Sequence, residues 1–199
     1  MKVVETIVEC HSKTLESVEL QKWYGSGDGH KLGLIFTGCP NLKSFKTLLS
    51  ERLLINMIYF VDIPAGPWAF QGLKELRLHF SQIERNSGIK QANHELEAGR
   101  KVCEQIGKLV YLEFLALDYF DGHAEDDRSI AARFVKEIAG LDKLRHLHMP
   151  PRFWNQKHLS AIVDSSWPRL ERISARHYDP VDFRWIKERR PWLKIGDLE

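Results

Sequence analysis

A six-residue pattern, L-x-x-L-x-L with an apolar residue in each of its slots, recurs along the 199-residue chain. The copies, some of them weak, begin at Leu15, Leu42, Leu73, Leu112, Leu144, Leu170 and Leu193. A short recurring motif of this kind is typical of a leucine-rich repeat, in which each unit buries its apolar side only by stacking on its neighbours. We therefore predict an α/β leucine-rich-repeat solenoid: a right-handed helix–strand coil with a curved parallel sheet on its concave face.

The spacing of the motifs is irregular. Successive first leucines lie 23 to 39 residues apart, whereas regular members of the class repeat every ~20–29 residues. We expect the additional residues in the connections, because each strand has to keep register with its neighbours. The pattern predicts a single irregular repeat domain over residues 1–199, with about six to seven repeats.

Apolar residues three and four positions apart precede most of the motifs and predict amphipathic helices there. These residues are Val4, Ile7 and Val8; Val102, Ile106 and Leu109; Ile130, Phe134, Ile138 and Leu141; and Leu159, Ile162 and Val163. Gly72, Gly107 and Gly140 lie just ahead of motifs, where left-handed helix caps are expected. Two polar segments, 24–33 and 81–100, are interpreted as connections, the second as an excursion at the rim.

Alternation along each strand predicts which side chains point away from the core. The residues between the inward apolar positions should form the concave face, which mixes charge, imidazole and an aromatic ring. Arginine and aromatic residues often anchor protein interfaces. The predicted partner-binding residues are Glu75, Arg77, His79, Phe114, Asp118, His146, His148, Arg172 and Arg176. Three rim aromatics that directly follow strands, Tyr119, Phe120 and Tyr178, either close the end of the sandwich or contact a partner.

Composition narrows the function classes only slightly. A net charge of +2 does not by itself indicate a polyanionic partner. Cys10, Cys39 and Cys103 are odd in number and lack a C-x-x-C spacing, so we expect reduced thiols. We find neither a signal peptide nor an apolar run of about 20 residues, and therefore expect an intracellular protein, in cytoplasm or nucleus, that does not bind membranes.

Catalytic motifs such as G-x-S-x-G, H-E-x-x-H and G-x-G-x-x-G after a strand are absent from the sequence. We predict no enzymatic activity and no cofactor. The least favoured alternative is a metal-dependent enzyme that uses His79, Asp118, His146 and His148. A further, disfavoured alternative is nucleic-acid binding through the basic C-terminal part. That part contains Arg169, Arg172, Arg176, Arg184, Lys187, Arg189, Arg190 and Lys194.

Several stretches resemble the leucine-rich half of fungal F-box and F-box-like proteins. They are HSKTLESVEL, CPNLKSF, PWAFQGLKELRL, VCEQIGKLVYLEFLAL, WPRLERIS and WIKERRPWLKI, which follow that family's order and together span nearly the whole chain. The resemblance implies a substrate receptor whose repeats hold a protein for ubiquitylation by a cullin-RING ligase. In that family the F-box docks on the ligase. None is recognisable ahead of the first motif, so ligase subunits are expected as partners only if an F-box exists upstream.

Overall fold

The computed structural model describes residues 2–21, 29–48, 63–64, 66–80, 89–119, 135–149, 167–174 and 186–196. Within these residues, seven strands form one open sheet in which all neighbours are parallel and follow sequence order. The strands are β1 (Ser17–Gln21), β2 (Ser44–Leu48), β3 (Glu75–Phe80), β4 (Phe114–Tyr119), β5 (His146–His148), β6 (Arg172–Ser174) and β7 (Lys194–Gly196). The predicted α/β class and parallel pairing are confirmed, and the weak last motif leads into a seventh strand.

The strands pair in the register that the leucine motif predicts. One row of paired residues crosses the whole sheet: Ser17, Ser44, Glu75, Phe114, His146, Arg172 and Lys194. Because side chains alternate along a strand, the members of a row point to the same side of the sheet. We call the side that carries this row the polar face, and the opposite side the core face.

The core face is apolar and buried. Leu76, Leu115, Leu147 and Ile173 lie side by side in register on β3 to β6 and are at most 1% exposed. Burying each such side chain contributes about 1.5–3 kcal/mol to folding. The sheet is therefore held together across its strands by a continuous apolar strip as well as by backbone hydrogen bonds.

The same backbone arrangement recurs where the strands begin. The carbonyl of Lys74 accepts hydrogen bonds from the N–H groups of both Glu113 and Phe114, at 2.8 and 3.0 Å. Equivalent forked bonds link the other neighbouring strands from β1 to β6, and the single bond from the Lys194 N–H to the Glu171 carbonyl continues them to β7. Ahead of β2 to β7 lie six two-residue turns, at 40–41, 71–72, 110–111, 142–143, 168–169 and 191–192. We call this row of turns the turn edge.

The helices are α1 (Lys2–His11), α2 (Gly29–Gly38) and α3 (Ile89–Gly107), with helical turns at 135–138 and 186–189. The predicted helices before the first and fourth motifs are confirmed, and Val102 and Ile106 are buried in the core. Ile7 was expected to face the core with Val8, but it is 39% exposed. The predicted helix residues Ile130, Phe134, Leu159, Ile162 and Val163 lie outside the described residues.

Two segments interpreted as connections are partly helical. Residues 29–33 belong to α2, where Leu32, Ile35 and Phe36 supply the helical spacing of buried residues that their glycine-rich surroundings obscured. Residues 89–100 belong to α3, whose polar surface includes an ion pair between Arg100 and Glu97 at 2.6 Å. A polar helix face supported by such pairs resembles a loop in composition.

The glycines ahead of the motifs do not form the expected left-handed caps. Gly72, Gly107 and Gly140 all have backbone angles outside the left-handed region. Gly107 is instead required by packing, because a Cβ atom there would lie 2.6 Å from the carbonyl oxygen of Glu137. The absence of a side chain thus allows the end of α3 to approach the helical turn at 135–138.

Aromatic rings fill the core near α2 and β2. The ring of Phe36 lies 4.9 Å from Phe45, 4.7 Å from Trp68 and 5.1 Å from Phe70, in edge-on or near edge-on arrangements. The Trp68 indole N–H donates to the Pro64 carbonyl at 3.1 Å, so its polar atom is satisfied inside the core. These rings join α2 and β2 to the segment that leads into β3.

Candidate functional site

The polar face is most exposed along the row where the strands begin. The side chains of Glu75 and His146 are 21% and 39% exposed, and Phe114 between them is partly buried. Lys194 at the far end of the row is exposed. The seven-strand pairing therefore places mixed charge, one aromatic ring and one imidazole side by side, as the sequence predicts.

Glu75 is the centre of an ion-pair cluster on this face. Its carboxylate accepts from Lys46 Nζ at 2.8 Å, from Arg77 Nε at 2.9 Å and from Ser44 Oγ at 3.1 Å. Partial burial alone would raise the pKa of Glu75, but the hydrogen bonds and charges of Lys46 and Arg77 outweigh it and the pKa is lowered. The carboxylate stays ionised at neutral pH and fixes the position of both cations.

Arg77 connects this cluster to two rings on the next strands. Its guanidinium carbon lies 4.3 Å from the centre of the Phe114 ring, a cation–π distance. Phe114 in turn meets the His146 ring edge-on, with centroids 5.5 Å apart. We call Glu75, Arg77, Phe114 and His146 the central cluster. It presents one cation, one aromatic ring and one imidazole that are already ordered before any partner arrives.

The surroundings of His146 lower its pKa and so favour the neutral imidazole. Partial burial lowers its pKa, and although Glu171 at 4.0 Å opposes this, the charges of Arg172, Arg145 and Lys194 add to the lowering. A neutral imidazole can donate one hydrogen bond and accept another. It also packs against Phe114 without adding a second charge beside Arg77.

A second row of the polar face lies two residues further along each strand. It differs from expectation, because its residues on β4 to β6 are buried. Ala116, His148 and Ser174 are 3%, 1% and 2% exposed. His148 Nδ1 lies 3.0 Å from Ser174 Oγ, so this histidine is engaged in a buried hydrogen bond. We predicted that His148 is an exposed residue of the binding face, and this prediction is wrong.

His79 is likewise buried, at 8% exposure, although it too was expected to be exposed. Its Nδ1 lies 3.1 Å from the Thr47 hydroxyl, which also accepts the His79 backbone N–H at 3.0 Å. The β2–β3 pairing ends at Lys46 and Arg77, two residues before His79. The hydroxyl therefore substitutes for a backbone acceptor where the two strands separate, and this role in the fold explains the burial.

The remaining predicted site residues are placed only in part. Asp118 pairs with His79, and Tyr119 with Phe80, through the backbones of β3 and β4. Arg172 is partly buried on β6, in the same row as His146. Arg176, Phe120 and Tyr178 lie outside the described residues. The face thus brings together Glu75, Arg77, Phe114, His146 and Arg172.

The alternatives can be compared with the same geometry. Among the described residues, no group of three or more histidine, cysteine, aspartate or glutamate side chains is arranged to hold a metal ion. The described basic residues of the C-terminal part are divided among β6, β7, the turn at 168–169 and the helical segment from 186. Arg190 donates to the Trp167 carbonyl at 3.0 Å and so supports the fold. No helix within the described ranges has the length and hydropathy that a membrane span needs.

A second polar and aromatic surface lies on the turn edge, and sequence reasoning missed it. Val110, Tyr111 and Trp192 are 53%, 48% and 64% exposed, although they occupy turns where polar residues are usual. Lys143 Nζ lies 4.0 Å from the centre of the Tyr111 ring. The available sequence signal was the aromatic residue directly before the first leucine of two motifs.

A cleft of about 400 Å³ opens on this edge, beside the starts of β4, β5, β6 and β7. Its walls include Trp192 and Leu170, and its charged lining is Lys143, Arg145, Arg169, Glu113 and Glu171. Arg145 Nη2 pairs with Glu171 Oε1 at 2.8 Å, and Glu113 Oε1 lies 3.8 Å from Lys74 Nζ.

No protein-family model matches the chain, and a search among curated proteins finds no match. The resemblance to fungal F-box proteins therefore stays a prediction. The function has to be argued from the surfaces themselves.

Proposed function

We propose that the chain is a leucine-rich-repeat solenoid whose polar face is the concave wall, and that this wall binds a protein partner without catalysing a reaction. Two observations support the repeat architecture: the strands follow sequence order in register with the leucine motif, and the forked backbone bonds recur between neighbouring strands. Stacked units of this kind give a broad surface on which several rows contact one partner.

The central cluster is the observation that carries the binding proposal. Arg77 is fixed from two sides, by the Glu75 carboxylate at 2.9 Å and by the Phe114 ring at 4.3 Å. A side chain that is already ordered loses less conformational entropy on binding, and that loss typically costs about 0.5–1.5 kcal/mol per flexible side chain. Arginine and aromatic residues near the centre of a surface contribute most of the affinity in many protein interfaces.

The cluster also indicates what the partner should present. The Phe114 ring and the neutral His146 imidazole offer an apolar, edge-on surface, while Arg77 offers N–H groups that Glu75 does not fully use. The complement is an apolar or aromatic side chain next to a carboxylate or carbonyl oxygen. In keeping with the resemblance noted above, we further propose that this partner is a protein destined for ubiquitylation.

The test is affinity capture from the native cell with a double variant, Arg77→Ala and Phe114→Ala. The variant removes the cation and the ring, and we expect partner recovery to fall at least about tenfold, since two interface anchors are lost. The matched control is Lys101→Ala and Lys136→Ala, two changes on helical segments that pack behind the core face.

Circular dichroism should show that both variants keep the wild-type fold. Equal recovery of the same partner by wild type and the Arg77/Phe114 variant would contradict the proposal. The ligase part of the proposal fails separately if the partner is captured but its ubiquitylation does not change when the chain is removed from the cell.

A further inference from the structure

We propose that the cleft on the turn edge is a second binding site, separate from the polar face, and that it takes an acidic segment of a protein flanked by apolar side chains. The site is the row formed by Tyr111, Lys143, Arg169 and Trp192, with Arg145 in the cleft behind it. Its existence does not depend on the partner proposed for the polar face, so either proposal can fail alone.

The row is built by the fold. Each of its four members is the second residue of a two-residue turn, and the turns lead into β4, β5, β6 and β7. Since these strands are parallel neighbours, successive turns are offset by about one strand spacing, ~4.8 Å. The four side chains therefore follow one another in a line along the surface, with the two cations between the two aromatic rings.

The two central cations are available to a ligand. Within the described residues, neither Lys143 nor Arg169 pairs with a carboxylate, whereas Arg145 is held by Glu171 at 2.8 Å. Lys143 lies over the Tyr111 ring, which positions its ammonium group without neutralising it. An unpaired cation in a cleft attracts an anionic group, and two adjacent cations favour two adjacent carboxylates.

The aromatic ends define the flanks of the ligand. Trp192 is 64% exposed and Tyr111 is 48% exposed, and aromatic residues are enriched at protein interfaces relative to the rest of the surface. Each can cover an apolar side chain on one side of the acidic pair. The cleft volume of about 400 Å³ falls within the range usual for ligand sites, ~300–1,000 Å³.

The same lining argues against a nucleic acid as the occupant. Three cations and two carboxylates line the cleft, which leaves a local charge of only +1. A phosphate backbone needs several unopposed cations, because its affinity comes from counterion release. Glu113 and Glu171 can accept backbone N–H groups from a peptide, whereas a phosphodiester backbone has no N–H group to donate to them.

The experiment uses the full chain and a fluorescent peptide with the sequence Leu-Asp-Glu-Leu between glycines. Binding is followed by anisotropy up to millimolar peptide, with Leu-Asn-Gln-Leu as the neutral control peptide. We expect the acidic peptide to bind, and the double variant Lys143→Glu and Arg169→Glu to weaken that binding by about tenfold or more, because two attractive contacts become repulsive. Trp192→Ala should weaken binding of both the acidic and the neutral peptide.

A matched control and a rescue sharpen the test. Lys13→Glu makes the same charge change as Lys143→Glu alone, in an exposed turn residue at the other end of the sheet, so it should leave binding unchanged while Lys143→Glu weakens it. The Lys143/Arg169 double variant should gain affinity for Leu-Lys-Arg-Leu. The proposal is overturned if wild type does not bind the acidic peptide or binds the neutral peptide equally well. It is also overturned if single-stranded DNA binds more tightly than the acidic peptide and the double variant abolishes that DNA binding.

Discussion

Phe114 and Leu115 are neighbours on β4, yet they belong to regions under different physical constraints. Leu115 is completely buried on the core face, between Leu76 and Leu147. Phe114 is partly buried on the polar face, between a guanidinium and an imidazole. Close packing determines the core face, whereas a defined set of ion pairs and ring contacts orders the polar face. The two faces should therefore respond differently to the same kind of substitution.

The largest difference is expected between Leu115→Ala and Phe114→Ala. The first change leaves a cavity inside the apolar strip, and we expect it to lower the free energy of unfolding by about 2–5 kcal/mol. The second removes a partly exposed ring, and we expect a loss of about 1 kcal/mol, including the cation–π contact with Arg77. Urea denaturation of both variants measures the two losses, and equal losses would show that the faces are not distinct.

A smaller difference should separate two serines on the polar face. Ser174→Ala removes the hydroxyl 3.0 Å from His148 Nδ1, and since both residues are buried we expect a cost of about 1–2 kcal/mol. Ser44→Ala removes a hydroxyl that donates to the partly exposed Glu75 carboxylate, and it should cost about 0.5 kcal/mol or less. Thermal denaturation compares them. If Ser44→Ala proves the more destabilising, the buried second row is not structural.

The smallest effect should be the pH dependence contributed by Glu75. Its pKa is lower in the folded chain than in the unfolded one, so its stabilising effect is fully present above the unfolded pKa of about 4.3. That effect is lost as the pH falls through the folded pKa. Glu75→Gln should therefore flatten the acid side of the stability profile and leave its neutral side nearly parallel to that of wild type. An unchanged acid limb would contradict the ion-pair cluster.

The sequence predicts the sheet and its register well because leucine spacing reports burial directly. The row from Ser17 to Lys194 follows from the alternation of side chains along each strand. The helices were predicted less completely. In α3, residues 89–100 are largely polar, and ion pairs such as Arg100 with Glu97 support a helix that hydrophobic periodicity alone does not reveal.

The candidate site was predicted in its first row and at Arg77, but not in the buried part of its second row. Alternation says that His148 and Phe114 point to the same side, but it does not say that His148 meets Ser174 or becomes buried. The exposure of a polar side chain depends on neighbours that are distant in sequence. The turn edge was missed for a related reason, because Tyr111 and Trp192 become one surface only when the units they lead into lie side by side.

The constant two-residue turns and the forked carbonyls that follow them have a consequence for how the chain can change in length. At this end of the strands the backbone bonds tie each unit to the next, from β1 through to β7. The intervals of 23 to 39 residues must therefore be absorbed between the end of one strand and the next turn. Foreign segments intended for display should be grafted into these intervals, because insertions there would leave the forked backbone bonds between the strands intact.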